Sequence, residues 1–155
     1  MALDVAHGEL LGRLEEELRR APTLAPALFS KIIADACRRL PNLSRSRGVA
    51  RLDRLIAAGA WTDAVFALVE LELPAWNLKR LTCEGGEWFC SLSRQLHLPV
   101  ALDDTADARH DSLPLAILLA FLQARRMAEI APPAMPTTPH MRPTPDGMIC
   151  CDNFA

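Results

Sequence analysis

Six arginines fall within seventeen residues in the first half of the chain, with Asp53 as the one acid among them. Arg45, Arg47 and Arg51 surround the predicted start of a helix. Helix N-termini and arginine guanidinium groups both bind phosphate or carboxylate. Arginines on outer helix faces are usually solvated or paired with acids, and no nucleic-acid recognition motif accompanies these three. An anion site for phosphate or nucleic acid is therefore an alternative here rather than the leading hypothesis.

A second candidate group is acidic and lies between residues 103 and 111. If this stretch were helical, Asp103, Asp107 and Asp111 would share a face with His110 nearby. Carboxylates with one histidine could hold a hard divalent cation or serve a small enzyme or ligand-binding site. However, the spacing fits no calcium-loop pattern, and capping or solvation ahead of the next helix is the commoner use of such residues. A small enzyme or a metal- or ligand-binding protein that uses this cluster is therefore an alternative hypothesis, and the leading hypothesis includes no metal.

The five cysteines are an odd number and include no Cys-x-x-Cys pair. Adjacent Cys150 and Cys151 lack a second pair of zinc ligands at finger-like spacing. The N-terminal residues do not have the basic-then-apolar order of a signal peptide. These features predict reduced thiols in a cytoplasmic protein. No nucleophile elbow, phosphate loop, dinucleotide fingerprint or zinc-protease motif is present, which favours a non-catalytic role without a cofactor.

Helical periodicity dominates the rest of the chain. Apolar residues at helical spacing predict five helices, near residues 7–20, 26–40, 49–58, 62–73 and 113–129. Gly59 is a plausible left-handed residue at the end of the third helix. The fifth carries the longest apolar run, Leu115 to Leu122, so we expect it to be the central helix. Eight residues are far short of the roughly 20 that span a bilayer, and no membrane association is predicted.

One β-hairpin is predicted, with strands at about 76–83 and 87–95. Gly85-Gly86 supplies the positive φ angles of a tight primed turn. Pairing about this turn places Cys83 opposite Trp88, and Lys79 opposite Leu92. Strand alternation then puts five residues on one face, which we expect to cover the fifth helix: Leu81, Cys83, Trp88, Cys90 and Leu92. The two cysteines occupy diagonal positions, too far apart for a relaxed disulfide, and are predicted to be small buried hydrophobes.

The opposite face of the hairpin is mixed in character and is the predicted interaction face. Trp and Arg dominate interface energetics when they are desolvated. The four candidate interaction residues are Trp76, Arg80, Phe89 and Ser91. The apolar phase of the first strand slips near Lys79-Arg80, which a β-bulge would reconcile. Both edges of the hairpin expose unpaired main-chain groups, and we expect at least one edge to be paired. The candidate partners are Met148–Cys151, the same hairpin of a second subunit, or a peptide.

Together these patterns predict a single α+β domain over residues 1–130 and a Pro-rich tail over residues 131–155. The tail holds six of the twelve prolines, and its last residues could dock on the hairpin edge. Net charge is −2, which does not favour nucleic acid as a partner. The leading hypothesis is a non-catalytic binding or assembly module, acting as a homodimer or on a protein partner through the hairpin face and edge.

Overall fold

The computed structural model describes residues 2–99 and 103–130 and has the predicted α+β architecture. Five helices, one short 3-10 helix and three strands follow in chain order: α1 (Ala2–Arg20), α2 (Pro26–Ala36), the 3-10 helix (Leu40–Leu43), α3 (Arg47–Ala57), α4 (Trp61–Glu72), β1 (Asn77–Glu84), β2 (Glu87–Ser93), β3 (Thr105–His110) and α5 (Leu113–Ile130). The predicted tail, with its docking segment Met148–Cys151, lies outside the described residues.

Local signals in the sequence set several of the helix ends. Pro26 occupies the first position of α2, where a missing N–H costs nothing. Ser46 caps α3, because its Oγ accepts a hydrogen bond from the Val49 N–H at 3.2 Å. Gly59 follows α3 with φ of 69°, as predicted for a left-handed residue after a helix.

Helix α5 is the centre of the fold. Every residue from Leu115 to Leu122 is buried, and the helix packs against β2, β3, α1 and α4. The core is completed by apolar residues of the other helices, including Leu14 of α1 and Phe29 of α2, whose ring meets Trp61 edge-on at 5.8 Å. Among the described residues, no helix is both long and apolar enough to cross a membrane.

The hairpin forms with the predicted turn and, next to it, the predicted register. Gly85 and Gly86 have φ of 62° and 88°, and Cys83 lies opposite Trp88. The register shifts between Leu78 and Arg80, where the phase slip predicts a bulge. Because Lys79 is the extra residue, Leu78 and not Lys79 lies opposite Leu92.

A third strand, β3, completes the sheet, which has the order β1-β2-β3 and is antiparallel throughout. The sequence pattern does not predict this strand. Its inward residues are Ala106 and Ala108, which are weak β formers, while Asp107 and Arg109 alternate with them. Ala106 is fully buried, and its small side chain allows β3 and α5 to approach closely. The second strand of the hairpin is thus paired on both sides.

Candidate functional site

The face of the sheet turned away from α5 is polar, and we call it the outer face. Strand alternation defines it, since Cys90, Leu92 and Ala106 point the other way into the core. The outer face includes Arg80, Thr82 and Glu84 of β1, Glu87, Phe89 and Ser91 of β2, and Asp107 and Arg109 of β3. It therefore contains three of the four predicted interaction residues.

Cross-strand contacts organise this outer face. The Ser91 Oγ donates a hydrogen bond of 2.6 Å to Asp107 Oδ1. The Arg109 guanidinium lies over the Phe89 ring, 4.9 Å from its centroid, and its Nη1 is 3.7 Å from Glu87 Oε2. Such pairs between directly opposite or adjacent strand positions stabilise a sheet. The β2–β3 half of the outer face is thus already committed to internal contacts.

Two of the predicted interaction residues are not accessible. Trp76 is only 5% exposed and belongs to the core, because the turn before β1, closed by the Trp76 N–H to Leu73 carbonyl hydrogen bond, folds its side chain inward. Ser91 is also 5% exposed, since it lies on the central strand. Arg80 is exposed and Phe89 is half-buried, so these two remain open to a partner.

Lys79, the extra residue of the bulge in β1, has a side-chain partner. The bulge directs Lys79 toward Asp103, with which the Lys79 Nζ forms a hydrogen-bonded ion pair, and Ser93 Oγ donates a second hydrogen bond of 2.6 Å to the same carboxylate oxygen. The hydrogen bonds from Lys79 and Ser93 lower the pKa of the Asp103 carboxyl. The Asp103 side chain is almost fully buried. This cluster fixes the first residues of β1 to the segment that leads into β3.

The two edges of the sheet differ in what surrounds them. β3 packs along α5, and a cavity of about 350 Å³ beside it is shared with Glu15 and Arg19 of α1 and Gln123 of α5. β1 packs against β2, but its contacts with the helices are few. Among residues 2–99 and 103–130, no strand lies beyond β1. The same holds for β3, but α1 side chains lie beside that strand, so the eight-residue β1 is the edge with fewer neighbouring elements, and we call it the open edge.

The acidic residues do not form the predicted cluster. Their shared face assumed a helix, but residues 105–110 form a strand, and successive residues alternate between its faces. Asp103 binds Lys79 and Asp107 binds Ser91, while the His110 Nδ1 accepts a hydrogen bond from the Ser112 N–H. Asp111 is exposed beyond the strand. Within the part of the chain that is described, no group of three or more acidic, histidine or cysteine residues could hold a metal ion.

The three arginines of the predicted anion site surround the first turn of α3. Arg45, Arg47 and Arg51 are all exposed, and Arg51 Nη1 is 3.6 Å from Glu70 on α4. The capping hydroxyl of Ser46 occupies one of the main-chain donors at this helix end. Anion binding by these residues stays a prediction from the sequence.

The cysteines of the hairpin differ in environment. Both are free, as predicted, but only Cys90 is buried, where loss of hydration and the Asp107 charge raise the pKa of its thiol to about 12. Cys83 is exposed and lies on β1, which has few contacts with the helices. Its prediction as a buried hydrophobe is therefore wrong. Cys150 and Cys151 lie outside the described residues.

A buried ionic cluster, which no sequence pattern indicates, lies among the helices and away from the sheet. The Glu72 carboxylate accepts three main-chain N–H groups, from Arg38, Arg39 and Leu40, at 3.1, 2.8 and 2.6 Å. Arg125 of α5 lies between Glu72 and Glu129, at 3.9 and 3.7 Å. Because a side chain of α4 satisfies amides that follow α2, the cluster joins separate helices.

Comparison with known proteins adds no functional assignment to this geometry. The open edge of β1 and the accessible residues Arg80 and Phe89 are the features with which a functional argument can begin. No protein-family model, no curated protein and no solved structure matches the chain.

Proposed function

We propose that this protein is a non-catalytic binding module that takes up a strand from a protein partner along the open edge of β1. The observation that carries the proposal is that β1, within the described residues, is paired on one side only and has few contacts with the helices. An edge strand presents a row of N–H and C=O groups, and an added strand satisfies them through main-chain hydrogen bonds. Side chains beside the edge then select the partner.

The surroundings of β1 support this choice over β3. β3 is backed by α5 along its length, and α1 side chains lie next to it. β1 has few contacts with the helices, and its Leu78 is 40% exposed. Arg80 adds an exposed cation next to the edge, and Phe89 lies on the neighbouring strand. An incoming strand would therefore meet main-chain, apolar and charged groups together.

The two alternatives have less support. The enzyme or metal-site hypothesis needs Asp103, Asp107, His110 and Asp111 in one place, and the strand separates them. The anion-site hypothesis needs Arg45, Arg47 and Arg51 to act together. Arg51 lies near Glu70, and no other observation favours a ligand there.

Site-specific photo-crosslinking in the native organism tests the proposed binding edge. A photoreactive amino acid replaces exposed Cys83, and the matched control carries it in place of exposed Arg47 on α3. We expect a discrete protein adduct from position 83 that is absent from position 47, identified by mass spectrometry. Substituting Arg80→Glu in the same chain should weaken this adduct, because it alters the edge without touching the core.

Equal labelling from both positions would overturn the proposal, as would the absence of any adduct at position 83. The mass of an adduct also reports the partner, since twice the mass of the chain indicates a second copy. Any other mass indicates a different protein bound at the same edge.

A further inference from the structure

We infer that the partner strand is β1 of a second copy of this chain, paired antiparallel about Thr82; this inference rests on the proposed function. The argument begins with the part of β1 that is free to pair. The bulge and the Lys79–Asp103 contact occupy the beginning of the strand. From Arg80 to Glu84 the strand is regular, with one residue opposite each residue of β2.

These five residues, Arg-Leu-Thr-Cys-Glu, are complementary to themselves when one copy is reversed. An antiparallel pair centred on Thr82 places Arg80 opposite Glu84 of the second copy, twice by symmetry. It also places Leu81 opposite Cys83, again twice. Opposite charges and apolar pairs at directly facing positions favour association, and a two-fold axis makes each contact count in both directions.

The side chains on the edge are available for these contacts. Arg80 and Glu84 are both exposed, and strand alternation puts them on the same outer face as Thr82. Neither has an ion-pair partner among the described residues. On the other face, Leu81 and Trp88 are half-buried and Cys83 is exposed. A second copy would therefore extend the polar face and the apolar face at once.

The charge pattern also selects the occupant and the direction of pairing. A basic residue at one end of the stretch and an acidic residue at the other favour the same sequence running the opposite way. Parallel self-pairing would instead bring like charges near one another. The product is a six-stranded antiparallel sheet with β1 of each copy at its centre. Five residues from each copy bury less surface than the roughly 1,000 Å² that specific, stable interfaces bury. We therefore expect a weak dimer that dissociates on dilution.

Charge reversal on the full chain tests this pairing, because both target residues are exposed and their substitution spares the core. Sedimentation velocity over a concentration series measures the dissociation constant of the dimer. We expect Arg80→Glu alone, and Glu84→Arg alone, to raise the dimer dissociation constant at least about tenfold, because each creates two like-charge pairs. The double variant R80E/E84R should dimerise like the original chain.

A mixture of the two single variants tests directly whether residue 80 of one copy faces residue 84 of the other. The R80E chain then presents two acids to two arginines of the E84R chain, and we expect a heterodimer at concentrations where each variant alone is mostly monomeric. Arg47→Glu on α3 is the matched control and should leave dimerisation unchanged. A dimer indifferent to both single reversals would overturn the inference.

Failure here is distinguishable from failure of the proposed function. A chain that stays monomeric at every concentration, yet gives a position-83 adduct with a different protein, overturns the second copy and retains the binding edge. A monomeric chain without such an adduct overturns both. An adduct between two copies that persists unchanged in the R80E chain overturns the register about Thr82.

Discussion

Glu72 satisfies three main-chain amides at the point where α2 ends and the 3-10 helix begins. A buried carboxylate is expensive to desolvate, and it is tolerated here because those amides and Arg125 surround it. Arg125 is itself buried and has two nitrogen atoms without a hydrogen-bond partner among the described atoms. The stability of this junction therefore depends on the charge of Glu72.

We expect Glu72→Gln to lower the free energy of unfolding by about 3 kcal/mol, because its NH₂ group would face main-chain donors and Arg125 would lose one of its two neighbouring carboxylates. Urea denaturation followed by circular dichroism measures the change. Exposed Glu70 on the same helix is the control, and Glu70→Gln should cost less than about 1 kcal/mol. Equal effects from the two variants would contradict this role.

Asp103 gives the fold a predictable response to acid. Hydrogen bonds from Lys79 and Ser93 lower the pKa of its carboxyl, so the native state binds this proton less readily than the unfolded chain. Its stabilising contribution is thus fully present above the ordinary aspartate pKa and is lost as the pH falls below about 4. We expect the stability difference between the original chain and Asp103→Asn to shrink across that range. Urea titrations from pH 7 to pH 2 measure it, and a constant difference would contradict the assignment.

At the scale of elements, the contact between β3 and α5 depends on small side chains. Ala106 is fully buried between the strand and the helix. We expect Ala106→Val to destabilise the protein by about 1–3 kcal/mol, because two added methyl groups must be fitted into a packed layer. Ala108→Val, at a half-buried position, should cost less. If the melting temperature of the Ala106→Val variant is unchanged or higher, the contact between β3 and α5 has unfilled space and the prediction is wrong.

The same alanines explain why β3 could not be read from the sequence. Helices α1 to α5 and the hairpin carry strong local signals: apolar periodicity, prolines, and Gly85-Gly86. Even the bulge near Lys79 was visible as a slip in the apolar phase. Residues 105–110 do alternate with period two, but alanine is a poor marker of a strand. These residues form a strand because β2 pairs with them and α5 packs on them. Neither contact is visible in the local sequence of residues 105–110.

The candidate site was predictable only in part, for a similar reason. Alternation correctly placed Arg80, Phe89 and Ser91 on one face. Whether such a face is open depends on elements distant in the chain. β3 buries Ser91, and the turn from Leu73 to Trp76 carries Trp76 into the core. The prediction for Cys83 is wrong in the opposite sense: its side chain is exposed, and β1 has few contacts with the helices.

For the whole molecule, the sheet is supported unevenly. α5 backs β2 and β3, while β1 extends from them with few helical contacts and a regular stretch from Arg80 to Glu84. Edge strands in monomeric proteins are usually protected by bulges, charges or covering elements. Here the bulge protects only the beginning of β1. We therefore expect the functional unit to be larger than one chain, with β1 at the centre of a shared sheet.

Amide hydrogen exchange along β1 tests this central claim most directly. It is measured on the full chain at concentrations below and above the midpoint of dimer formation, with β3 as the internal reference. Between Arg80 and Glu84, we predict that the amides whose N–H groups point away from β2 exchange fast in the dilute sample and become protected in the concentrated one, while the amides of β3 do not change. Identical exchange of β1 at the two concentrations would contradict the account.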